Sequence, residues 1–179
     1  MKPLLALSNG IDWMNERFSW IADWMVLLAC LISATNAVVR YVFSYSSNAF
    51  LEVQWYMFGA MVMLGTSYTL KMNEHVRVDI IYASVSDRAR LWIDLFGFTF
   101  FLLPVTVFLT WLCFPIFWGA FKSGETSANA GGLILWPIKL MLPLGFMLLT
   151  LQGLSELIKR IAALRGLVEF DAKYEKPLQ

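Results

Sequence analysis

A single histidine, His75, and two cysteines, Cys30 and Cys113, are all the imidazole and thiol in a chain of 179 residues. Both cysteines lie in long apolar runs and fit neither zinc nor CxxC spacing, so they read as small buried side chains. One imidazole cannot supply bis-histidine haem ligation, which speaks against a four-helix cytochrome b. Charge is scarce too: Asp, Glu, Lys and Arg make up 15% of the chain, where ordinary globular domains have about 25%. A net charge of +1 leaves no electrostatic footprint for nucleic acid, and the aromatic residues sit inside apolar runs instead of alternating with Lys and Arg. No nucleophile stands beside a base and no ligand set is spaced for a metal, so neither catalysis nor a cofactor is expected.

What the chain has in excess is apolar surface. Hydrophobic residues reach 59%, aromatics 16% and the mean hydropathy +0.62, which points to a membrane protein. The pattern predicts an all-α integral membrane protein, a single domain over 1–179, with four transmembrane helices over 20–43, 50–70, 91–120 and 136–158. Each stretch holds about the 20 residues needed to cross a hydrocarbon core of about 30 Å with every backbone group paired internally. The third covers all but the last residue of the uncharged run from Leu95 to Phe121 and is expected to tilt or protrude, with kinks at Pro104 and Pro115. Pro137 suits the first turn of the fourth, where its missing N–H has no partner anyway.

Residues 1–18 place Leu4, Leu7, Ile11, Met14 and Phe18 at steps of three and four, with Asn9, Asp12, Asn15 and Glu16 elsewhere. That is the pattern of an amphipathic helix lying on the membrane surface. Its apolar run is too broken for a signal peptide. Residues 166–179 read as a polar tail. Lys2 and Arg17, then Lys71, Arg77, Arg88 and Arg90, then Lys159, Arg160, Arg165, Lys173 and Lys176 fall on one side of four crossings; only Arg40, Lys122 and Lys139 fall on the other. The excess of Lys and Arg puts both termini in the cytoplasm.

Few ionisable residues lie within the apolar runs, and each stands near an end. Arg40 is one turn before the loop SYSSN and Glu52 one turn after it, so antiparallel packing suggests an ion pair, which Asn36 on the face of Arg40 extends into a polar seam. This seam is either a clamp within or between subunits or a direct contact to substrate. Lys139, one turn inside the fourth helix, can snorkel toward the interface. Asp23 and Asp94 lie close to helix N-termini, where the dipole favours a carboxylate. No helix carries an ionisable residue at its centre, where an autonomous transporter would place a proton relay or ion site. His75, Arg77 and Asp79 alternate with Val76, Val78 and Ile80 as in an extended segment, a solvated loop or a docking surface. The segment KSGETSANAGGLILWP, with Lys122 and Glu125, is the long extracytoplasmic loop and either a plain connector or a place to meet a soluble partner.

Read in order, these residues resemble the small membrane subunit (DctQ-like) of tripartite ATP-independent periplasmic (TRAP) transporters, from about Trp20 to Arg165. The resemblance runs through Asn36, Arg40 and the following YVF, an acidic residue after a short loop, Leu64 with Gly65, and H-V-R-V-D at 75–79. Many members have two adjacent acidic residues at the start of the second helix; here Phe50, Leu51, Glu52 and Val53 stand there, so only Glu52 carries over. The resemblance implies a bacterial inner-membrane, multi-pass protein in a secondary, sodium-coupled symport system for organic acid uptake. A periplasmic solute-binding protein captures the solute, a large permease subunit moves it, and the small subunit braces the permease and helps form the docking surface. Lacking a mid-membrane charge, the chain suits that role. A self-sufficient small exporter or channel, or a membrane anchor for a redox enzyme, are the alternatives.

Overall fold

The computed structural model describes residues 1–45, 47–75 and 85–168. Among them the secondary structure is all helix, with one isolated β-bridge between Thr126 and Ile134. Helix α1 runs Lys2–Phe43, α2 Asn48–Met72, α3 Asp87–Gly97, α4 Leu103–Ser123 and α5 Trp136–Leu164. A π-helical turn, Phe98–Leu102, joins α3 to α4 without a break, so that Asp87–Ser123 forms one 37-residue rod.

Local chemistry accounts for the boundaries. The Ser47 hydroxyl caps α2 by accepting the N–H of Ala49 at 3.3 Å, one of the donors a helix start leaves unpaired. Asn73 closes α2 with φ 61°, the left-handed conformation Asn tolerates, while Glu74 N–H reaches back to the Thr69 carbonyl at 3.1 Å in a Schellman-type closure. The same closure ends α4, where Glu125 N–H meets the Ala120 carbonyl at 3.2 Å, and α5, where Leu167 N–H meets the Ala162 carbonyl at 3.0 Å. Pro137 sits in the first turn of α5, as expected. Pro104 stands two residues past the end of the π turn: the widened turn absorbs the place where a proline removes an intrahelical hydrogen bond, and the helix continues.

The surface helix expected over 1–18 and the span expected over 20–43 are one uninterrupted helix of 42 residues, about 63 Å at about 1.5 Å per residue. Nothing between Phe18 and Trp20 can break it, since neither Pro nor Gly stands there. Its buried side carries Ser8, Asn15, Ala22, Ala29 and Asn36, seven residues apart throughout, the period of a helix that keeps one seam against its partners. Small residues along that seam bring backbones close, the means by which helices associate where water provides no drive. Leu7 and Leu4 point away from the protein, while Ile11, Met14 and Phe18 pack inward.

The centre of the bundle is Ala22 of α1, Leu64 of α2 and Leu148 of α5, filled in by Met14, Phe18, Met25, Met61, Met141 and Leu144. Helix α5 is the hub, packing on α1, α2 and α4; α4 makes its substantial contacts with α5. At Gly145 a Cβ atom would stand 2.7 Å from the Met63 carbonyl oxygen, so only glycine permits this approach of α5 to α2. The Thr150 hydroxyl donates to the Thr106 hydroxyl at 2.9 Å across α4 and α5.

Among the described residues three rods are long and apolar enough to cross a membrane: α1, the Asp87–Ser123 rod and α5. Helix α2, over the expected second span, has 25 residues, but Glu52, Gln54, Thr66, Ser67 and Thr69 dilute its apolar character. It is also wedged between α1 and α5, which reduces what it would show to lipid. The other two spans start or end beyond their expected limits, at Asp87 and Leu164. Cys30, expected to be buried, is exposed on α1, and Cys113 is half-buried.

Candidate functional site

Polar side chains gather at the two ends of the bundle, and at each end they join segments far apart in sequence. At the first, the loop between α4 and α5 folds down on the start of α2. Asn48, Glu52 and Tyr56 recur every four residues along one face of α2. The Asn48 amide donates to the Ala130 carbonyl at 3.2 Å, and the Tyr56 hydroxyl donates to the Ile134 carbonyl at 3.1 Å. Between them the Glu52 carboxylate, 1% exposed, accepts from Asn129 Nδ2 at 2.8 Å and from the Leu133 backbone N–H at 2.7 Å. A carboxylate withdrawn from water must be met by donors, and here the loop supplies them.

The loop is itself folded. Ser127 N–H donates to the Leu133 carbonyl and Leu135 N–H to the Glu125 carbonyl, both at 2.8 Å, and Gly132 N–H closes the tip on the Asn129 carbonyl at 2.9 Å. A Cβ at Gly132 would lie 2.6 Å from the Ser127 carbonyl oxygen, so the tight turn depends on glycine. Lys139 pairs with Glu125 at 2.5 Å, and the Lys122 ammonium lies 5.2 Å from the centre of the Trp118 ring.

The expected pairing of Arg40 with Glu52 is therefore replaced. Glu52 faces the loop, and exposed Arg40 forms no ion pair among the described residues. Asn36, one turn from Arg40, is buried, and its Oδ1 has no hydrogen-bond partner among them. The residues expected to form one seam thus divide, with Glu52 and Lys139 joined through the loop and Asn36 and Arg40 apart from it. His75 is exposed just beyond α2; Arg77 and Asp79 lie outside the described residues.

The opposite end holds an ionic chain, buried at Glu156 and Arg160 and half-buried at its other members, that clasps α1, α3 and α5 together. Asp12 pairs with Lys159 at 2.6 Å, Lys159 with Glu156 at 2.8 Å, Glu156 with Arg160 at 2.5 Å and Arg160 with Asp94 at 2.9 Å. The Arg160 guanidinium, 2% exposed, also lies over the Phe98 ring at 4.5 Å. Gln152 knits the chain further: it accepts from Asn15 Nδ2 at 2.7 Å and donates to Asp12 at 3.0 Å and Glu156 at 3.1 Å. The Ser8 and Ser155 hydroxyls meet at 2.7 Å. Nearby, Lys71 at the end of α2 pairs with Glu16 of α1.

Sequence reasoning missed this clasp. Asp94 stands two turns inside α3, beyond the reach of its N-terminal dipole, and pairs with Arg160, while Asp23 stands mid-helix with no N-terminus near it. Two signals were available: the seven-residue recurrence of Ser8 and Asn15 with Ala22, and the i, i+4 steps from Gln152 to Glu156 to Arg160. Among the described residues no group of His, Cys, Asp and Glu is placed to hold a metal ion.

Such a molecule is a helical membrane protein whose polar side chains hold its own helices and one loop in place. The chain belongs to the DctQ component family of tripartite ATP-independent periplasmic transporters, whose family model matches residues 25–163. It is thus a small TRAP transporter subunit, from a transporter family and not an enzyme family. Neither the curated proteins nor the solved structures contain a match to the chain.

Proposed function

We propose that the chain is the small scaffold subunit of a sodium-coupled uptake system for organic acids, crossing the bacterial inner membrane four times with both termini in the cytoplasm. In this arrangement the Lys159 clasp lies at the cytoplasmic end and the 125–134 loop at the periplasmic end. The chain braces a large permease subunit along the bilayer and offers the loop to a periplasmic solute-binding protein. The observation that carries the reading is the use made of the buried charges. Glu52, Glu156, Arg160 and half-buried Asp94 are each engaged by partners within the chain, near the two ends of the bundle. Charge held this way braces a structure, whereas a carrier needs polar groups near mid-membrane that exchange partners with cargo.

Reconstitution in liposomes tests this. The chain with its permease subunit, the binding protein and an inward sodium gradient should take up an organic acid, and omission of the chain should abolish uptake. Sustained flux through the chain alone would instead support a self-sufficient exporter or channel.

A further inference from the structure

We propose that Glu52 is a positioning residue for docking: its carboxylate holds the 125–134 loop in the shape that the soluble subunit meets. This rests on the docking role proposed above and names the group that makes the loop competent for it.

The loop has no apolar core of its own. Gly131 and Gly132, with Gly124 just before the loop, give its backbone wide freedom, and a free chain of this kind would have to be ordered at the moment of binding. The fold removes that freedom beforehand. Glu52 takes one side-chain and one backbone donor from opposite sides of the turn, Asn129 and Leu133, and so ties both arms of the loop to one fixed point on α2. Asn48 and Tyr56 hold the adjoining carbonyls of Ala130 and Ile134. A buried carboxylate is a costly way to close a mere connector, since an apolar contact would close it without desolvating a charge.

What the tip of the latched loop presents is small and uncharged, with exposed Glu125 and Ile134 at the two ends of the loop. Thr126, Ala128, Asn129, Ala130 and Gly131 are exposed, and none is ionisable. The charges on either side are engaged within the chain, Glu125 by Lys139 and Lys122 by Trp118. The loop therefore suits a partner that reads shape and backbone groups, and its share of the docking energy should be nearly independent of salt.

The test uses the intact complex in liposomes, with uptake titrated against solute-loaded binding protein. Asn129→Ala and Glu52→Gln should raise the half-saturating concentration of that protein roughly tenfold while leaving the maximal rate near wild type, since each removes the Asn129 contact and leaves an oxygen to accept from Leu133. The ratio to wild type should hold at low and high salt. A spin label at Ala128 should become more mobile in both variants. An unchanged half-saturating concentration alongside increased mobility would overturn the positioning role and leave docking standing. Unchanged mobility would overturn the latch itself. A fall in maximal rate alone would assign Glu52 to assembly and overturn the proposal. Uptake by the wild-type complex that neither needs nor saturates with the binding protein would remove the docking reading, and the proposal with it.

Discussion

The Glu52 carboxylate accepts the backbone N–H of Leu133 at 2.7 Å, across 81 residues of chain. This contact fixes how the start of α2, the turn into α5 and the loop between the last two helices are arranged, and it leaves Arg40 outside.

Arg40 and Glu52 should behave as independent sites. Arg40→Ala, Glu52→Ala and the double variant, compared by thermal unfolding in detergent, should add within about 0.5 kcal/mol. A coupling well above that value would restore an ion pair between them.

Arg160 should be the most sensitive position of the clasp. Arg160→Ala removes the guanidinium that buried Glu156 and half-buried Asp94 share and leaves Glu156 with Lys159 as its remaining cation, and loss of one partner from a buried pair costs about 3–5 kcal/mol. The unfolding midpoint of the purified chain should fall sharply. Asp94→Asn, which keeps an acceptor for the guanidinium, should cost less.

Two glycines should respond in opposite directions to alanine. At Gly145 the new methyl group meets the Met63 backbone, and overpacking of this kind costs about 1–3 kcal/mol. At Gly97 nothing lies within 4 Å of the added carbon, so Gly97→Ala should match or exceed wild-type stability through better helix propensity.

Lys139→Met should be mild. The ammonium and its partner Glu125 are both partly exposed, and such pairs contribute about 0–1 kcal/mol. Unfolding should shift little, whereas a large loss would mean that Lys139 does more than pair with Glu125.

Much of the helical architecture is legible in the sequence because long apolar runs leave the backbone no other option. Pro137 marks the start of α5, and the uncharged stretch from Leu95 to Phe121 lies within the Asp87–Ser123 rod. The continuity of α1 is harder to read, since amphipathic periodicity says which way residues face and not whether the helix stops; the hydroxyl and amide of Ser8 and Asn15 turn toward α5. Glu52 shows the limit at the candidate site. A nearby arginine is a visible partner, but a backbone N–H is carried by every residue except proline, so nothing marks Leu133 as the donor. Asp12 and Lys159 pose the same difficulty at a separation that no local pattern spans.

The π turn at Phe98–Leu102 has a rotational consequence. An α-helix advances about 100° per residue, so one surplus residue taken up in a wide turn re-phases everything beyond it by about that angle. Asp94, before the turn, is aimed at Arg160, and Thr106, after it, is aimed at Thr150. The two halves of the rod thus hold separate azimuths against the same neighbour, and deleting a single residue from Phe98–Leu102 would force one contact to swing away to keep the other.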